Sequence, residues 1–140
     1  MNKFSVQTVT QLSVIVDDVP GSLARVAGAL ANAGINLEGF CQIAEGSDKI
    51  ARAHFITSQA DDAKQTLSSL GTKYTEEKIL SLHYSDRPGV VAEVAQALGD
   101  AGINIEDMYL STPGTTKDTV LYVGVSKGNF AKAAEIAKNI

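Results

Sequence analysis

The sequence predicts an α+β protein built from two copies of one βαββαβ unit, each an antiparallel sheet with helices on one face. Three observations predict it. The stretch from Asp18 to Glu38 superposes without a gap on Asp86 to Glu106, at a single offset of 68 residues. Asp18, Pro20, Gly21, Ala24, Val26, Ala27, Leu30, Gly34 and Asn36 recur as Asp86, Pro88, Gly89, Ala92, Val94, Ala95, Leu98, Gly102 and Asn104. Chance does not readily give that density, so each half is one supersecondary unit used twice. Before each matched stretch apolar residues alternate with a period of two, and inside it they follow the helical period.

Each element then has its own warrant. Leu12, Val14 and Val16 alternate with Gln11, Ser13 and Ile15, and the run from Ile79 to Tyr84 holds the same place in the second half, so a strand opens each unit. Asp, Pro and Gly stop both strands. Leu23, Val26, Ala27 and Leu30 are spaced i, i+3, i+4, i+7, as are Val91, Val94, Ala95 and Leu98, which makes two amphipathic helices. Gly34 and Gly102 can end them in the left-handed C′ conformation, with Ile35 and Ile103 placed for the accompanying apolar contact. Strand-like runs follow at Leu37 to Ala44 and Ile50 to Ser58, then at Ile105 to Ser111 and Thr119 to Ser126. Segments 45–49 and 112–117 carry the turn residues to join them as hairpins. Ala63, Leu67 and Leu70 mark a second helix in the first half, and Phe130, Ala133, Ala134 and Ala137 in the second. Lys73 to Glu77 is a closing strand for the first half, giving the split βαββαβ, or ferredoxin-like, plan. The expected domains are therefore 1–77 and 78–140.

Composition excludes several function classes. The net charge is −4 and the pI about 5.1, with lysines and arginines scattered singly, so no basic surface is expected for nucleic acid. No stretch approaches the roughly 18 apolar residues of a spanning helix, and the first residues lack the apolar core of a signal peptide. A cytoplasmic protein without membrane association is expected. Cys41 is the one cysteine, too few for a disulfide framework or a structural zinc site. Cys41 and His54 could face each other across the first hairpin, but two ligands make an incomplete metal site, and His83 has no recognisable catalytic partner. No GxxxxGK[ST], GxSxG, HExxH or CxxC is present, so neither an enzyme nor a bound cofactor is expected.

Asp17 to Leu23 and Ser85 to Val91, each followed by an alanine-rich helix and then Gly Ile Asn Leu or Gly Ile Asn Ile, resemble the signature of the ACT domain. The resemblance covers nearly the whole chain, twice. It implies a standalone tandem ACT module, since members of that family commonly bind a free amino acid where two ACT units meet and switch an attached or partner enzyme. It places ligand contacts at Asp18, Val19, Pro20, Gly21, Ser22 and Leu23 with Asn36, and at Asp86, Arg87, Pro88, Gly89 and Val90 with Asn104. Ligand-binding members often carry asparagine where this chain has Asp18 and Asp86; a carboxylate there favours a cationic group and repels an anionic side chain unless already paired. The partners implied are a small-molecule amino acid, a metabolic enzyme and a second copy of the chain in a homodimer.

The residues alone leave alternatives open. The unpaired N–H groups that open each helix could dock a carboxylate, with Asp18 or Asp86 taking the ammonium. Equally, the two aspartates could be plain N-caps, Asn36 and Asn104 plain turn residues, and Arg87 a solvated surface charge. The unequal loops imply at most one competent site. The alternative function is a ligand-free interaction subunit that docks on an enzyme.

The N-terminus adds one expectation. At the same offset Ile140 corresponds to residue 72, so the second half ends before its own closing strand. Phe4, Val6, Thr8, Thr10, Leu12, Val14 and Val16 keep one unbroken two-residue phase, longer than the usual strand of about 5 or 6 residues. The segment Lys3 to Val9 is therefore expected beside Ile79 to Tyr84, with Phe4 and Val6 facing the second core; a frayed arm is the alternative.

Overall fold

The computed structural model of the chain describes residues 3–111 and 119–140; the turn expected at 112–117 lies outside the described residues. The elements run β1 (Ser5–Asp17), α1 (Ser22–Asn32), β2 (Gly39–Ala44), β3 (Ile50–Ile56), α2 (Ala60–Ser69), β4 (Tyr74–Tyr84), α3 (Val90–Asp100), β5 (Ile105–Ser111), β6 (Thr119–Val125) and α4 (Phe130–Asn139), with short 3₁₀ turns at Gly46–Asp48 and Lys127–Asn129. The helices α1 and α3 stand at the repeat offset. Where the sequence suggested two strands at 73–77 and 79–84, the structure has one: only Lys78 separates the runs, and nothing there turns the chain. Among the described residues no helix is long and apolar enough to cross a membrane.

The chain forms two compact units, Thr10–Glu77 and Met1–Val9 with Lys78–Ile140. In the first unit β1 pairs antiparallel with β3, from Gln11 opposite Ile56 to Asp17 opposite Ile50. β3 pairs in turn with β2, and the start of β4 flanks β1 on its other edge, so the order is β2-β3-β1-β4. Alternation decides what each strand buries. Leu12, Val14 and Val16 of β1 and Ala51, Ala53 and Phe55 of β3 project into one core with Val26 and Leu30 of α1 and Ala63 and Leu67 of α2.

The second unit repeats the plan with the start of β1 in the place that the start of β4 holds in the first. β4 pairs antiparallel with β6, from Leu80 opposite Val123 to Tyr84 opposite Thr119; β5 flanks β6, and β1 is hydrogen-bonded to β4. Phe4 is 5% exposed and belongs to the core built by Leu80, Leu82, Val94, Leu98, Leu121 and Val123, with Val6 packed against it. Its ring meets Tyr84 edge-on, at 5.6 Å and 74°. Lys3 secures the same segment: its ammonium pairs with Glu93 Oε1 at 2.8 Å while Arg87 takes Glu93 Oε2 at 2.7 Å. First Lys3 and then Arg87 hold the Glu93 carboxyl below its ordinary value of 4.5.

Both first helices end alike. Gly34 and Gly102 have φ of 76° and 73°, and the N–H groups of Ile35 and Ile103 return to the carbonyls of Leu30 and Leu98 at 3.0 and 2.9 Å. The two isoleucines that follow are buried, each in its own core, the paired arrangement of a Schellman ending. At the β5–β6 ladder a register shift sets Asp107 opposite Gly124. A β-carbon at Gly124 would meet the Asp107 carboxylate, so a larger residue there requires that side chain to move.

Phe4→Ala should lower stability by about 3–5 kcal/mol in urea unfolding, whereas a frayed arm would give a change near zero. Because Glu93 has a depressed native pKa, its stabilising contribution is present above the ordinary value of 4.5 and disappears as pH falls through the native one. Wild type and Glu93→Gln should therefore differ in unfolding midpoint near neutral pH and converge in acid, once the pH has fallen through the lowered native pKa. A difference that persists in acid would contradict the ionic tie.

Candidate functional site

Each Pro-Gly loop ends in a glycine with left-handed backbone, Gly21 at φ 89° and Gly89 at φ 92°, a conformation that strains any side chain with a β-carbon. These glycines hold the N-cap positions of α1 and α3, and no side chain caps either helix. The plain N-cap alternative for Asp18 and Asp86 is thereby corrected. Both aspartates lie three residues upstream of the cap and are exposed, because the proline and the left-handed glycine bring the chain into the helix by backbone geometry alone. Gly21 and Gly89 accept the first helical bonds, from Arg25 N–H at 3.1 Å and Glu93 N–H at 2.9 Å. The first-turn N–H groups of each helix thus meet no capping side chain, which is the condition under which a helix start attracts an anion.

The two loops have different surroundings. A hollow of about 470 Å³ beside the second is lined by Asp86, Arg87, Gly89 and Val90, together with Tyr84, Val91, Ala92, Ala95 and Leu110. Val91 and Leu110 are 43% and 48% exposed, so the hollow presents apolar surface next to charge. Burial pushes the Tyr84 hydroxyl pKa up, and the Asp86 carboxylate adds to the shift; the phenol therefore stays neutral and able to donate. Arg87 is not a purely solvated charge, because Glu93 fixes it. In the first loop Val19 is exposed and Leu23 turns inward beside Val14 and Val26. Of the expected residues there, Ser22 borders a separate cavity of the first unit. The Asp18 N–H donates to the Lys49 carbonyl at 2.8 Å, which ties this loop to the first hairpin.

Asn36 and Asn104 stand elsewhere. Each follows an eleven-residue helix, about 16 Å long at the usual rise, so within one unit the structure does not bring Asn36 to Asp18 or Asn104 to Asp86. The Asn36 N–H donates to Gln59 Oε1 at 3.0 Å, and Gln59 Nε2 donates to the Gly34 carbonyl at 3.2 Å. Cys41 does stand opposite His54 in the β2–β3 ladder. His54 Nδ1 lies 2.6 Å from Ser13 Oγ, and His83 Nε2 lies 3.2 Å from Ser81 Oγ. Among the described residues no group of three or more His, Cys, Asp or Glu side chains is placed to hold a metal ion.

Sequence reasoning missed Tyr84, Val91, Ala92, Ala95 and Leu110. Tyr84 and Val91 carried a signal, since both adjoin the loop in sequence. Leu110 reaches the hollow from β5 and had none. Chemically the second loop offers N–H donors for a carboxylate, Asp86 for an ammonium group and an apolar border for a side chain.

The family model for the ACT domain matches residues 10–67 and 78–140. No curated protein matches the sequence. Among solved structures, protein BT0572 from Bacteroides thetaiotaomicron aligns with a TM-score of 0.81 at 23% identity, over 96% of this chain and 89% of that one. The ligand-free regulatory subunit of aspartate kinase from Thermus thermophilus aligns at 0.69 and 21% identity, over 99% and 98% of the two chains. Its counterpart from Thermus flavus gives 0.72 at 21% identity, over 99% and 96%. These likenesses are of fold. With its signature carried twice and the family model matching both halves, this chain belongs to the ACT-domain family.

Proposed function

We propose that the chain is a non-catalytic regulatory module that binds a free amino acid at a Pro-Gly loop, where ACT units of two chains meet, and thereby switches a partner enzyme. The observation that carries this is the helix start after Gly89: a left-handed glycine at the cap, first-turn N–H groups without a capping side chain, and a hollow whose wall includes Asp86. An α-carboxylate is the anion that suits the helix start. Asp86 supplies the opposite charge for the ammonium, and Val91 and Leu110 supply contact for an apolar side chain. The second loop is the competent one, since such a hollow adjoins it. Asn104 stands at the far end of its own helix from Asp86, so in this reading it reaches a ligand at that loop only from another chain. The likeness in fold to the Thermus aspartate kinase regulatory subunits supports a regulatory role, and pairing of two chains is the arrangement this reading requires.

A thermal-shift panel of the twenty free amino acids tests it. A ligand at about 100 times its Kd adds about 2.7 kcal/mol to native stability, which moves Tm by several degrees in a chain of this size. Asp86→Ala and Gly89→Val should abolish the shift, the first by removing the ammonium partner and the second by straining the cap. No shift with any amino acid at millimolar concentration would sink the proposal.

A further inference from the structure

A second cavity lies wholly within the first unit and goes beyond the amino-acid reading. Its volume is about 940 Å³, at the upper end of the usual small-molecule range of about 300–1,000 Å³. Three cations converge on it from three separate elements: Arg25 of α1, Arg52 of β3 and Lys73 of the link into β4. One carboxylate, Asp17, shares the lining. That surplus of positive charge stands out in a chain whose net charge is −4.

The cations are held in place yet keep donors to spare. Arg25 gives one N–H to the Leu70 carbonyl at 3.0 Å. Arg52 gives its Nε–H to Glu45, and Glu77 also draws on its charge. Five N–H donors belong to each guanidinium, so each retains four. Lys73 is exposed and makes no hydrogen bond or ion pair among the described residues. Glu45 offsets the charge of Arg52, whereas Arg25 and Lys73 make no ion pair among the described residues, and a bound anion would supply their counter-charge. A guanidinium fork fits carboxylate and phosphate alike. Ile15, which is half exposed, and Tyr74 add less polar surface for the body of such a molecule.

We infer that this cavity is a binding site for a small, multiply charged organic anion bearing phosphate or carboxylate groups, held by Arg25, Arg52 and Lys73. It is a site separate from the loop at Asp86.

Calorimetric titration of the full chain with pyrophosphate and, separately, with citrate tests it, at an ionic strength fixed with sodium chloride. Saturable binding of either, at one per chain, is the expected result. Preference for pyrophosphate assigns a phosphate-bearing ligand, and preference for citrate a polycarboxylate. Lys73→Gln and Arg52→Gln should each weaken binding about tenfold, the loss of one charge-assisted contact. Lys73 is the decisive position, because Arg52→Gln also frees Glu45. Asp86→Ala should leave anion binding unchanged, so failure of the amino-acid reading is seen independently. Absence of saturable binding by both anions, or wild-type affinity in Lys73→Gln, would overturn the inference.

Discussion

The two-residue phase of β1 is the constraint on which the rest of the structure depends. Five residues of one two-residue phase point toward a core: Phe4 and Val6 supply one, Leu12, Val14 and Val16 the other. A slip of one residue would turn both sets outward and bring Gln7, Gln11 and Ser13 in. Gln11 and Ser13 explain why the register does not slip. Gln11 donates to Glu77 at 2.8 Å and Ser13 lies 3.3 Å from the same carboxylate, so the opposite face of the strand is satisfied only in the observed register. A single strand therefore specifies two cores, and β4 does likewise, with Tyr74 packed on one and Leu80, Leu82 and Tyr84 in the other.

With the strands fixed in this way, the loop geometry follows from backbone rather than side chains. Strand β1 delivers Asp17 to a proline and a left-handed glycine, and strand β4 delivers Tyr84 to the same pair. A helix capped by glycine keeps its first N–H groups open, at a modest cost in stability relative to Asp or Ser at the cap. The chain accepts that cost twice. What differs between the copies is the periphery: Leu110 and Tyr84 wall one loop, while the other has an exposed Val19 and is tied to Lys49. Duplication preserved the scaffold and let the edges diverge, as expected if packing constrains the first and function the second.

The fold was largely legible in the sequence because its signals are local. Helices α1 and α3 repeat at one offset, and their glycine endings at Gly34 and Gly102 take the left-handed conformation the pattern implied. Phe4 joins the core of Leu80, Leu82 and Tyr84, a tertiary contact between segments far apart in the sequence. The candidate sites were legible only in part. The Pro-Gly loops announce themselves, but Leu110 comes to the hollow from another strand, and Arg87 finds its partner six residues on in Glu93. Asn36 and Asn104 stand at the far ends of α1 and α3, a separation that a motif written as a string does not convey. The cationic cavity was invisible for the same reason, since Arg25, Arg52 and Lys73 are isolated charges until α1, β3 and the link after α2 meet.

The main-chain N–H of Lys3 reaches the carbonyl of Ile140, so one folding unit needs two segments that residues 10–77 separate in the sequence. On the ribosome, Phe4 and Val6 emerge before residues 10–77 and must wait for these and for the segment through α4, at about 5–20 residues per second, before their core exists. Residues 10–77 are contiguous and can close meanwhile. Order of synthesis thus imposes an order of assembly in which the inserted unit leads, and a ribosome stalled short of α4 leaves an apolar strand edge exposed to every neighbouring nascent chain.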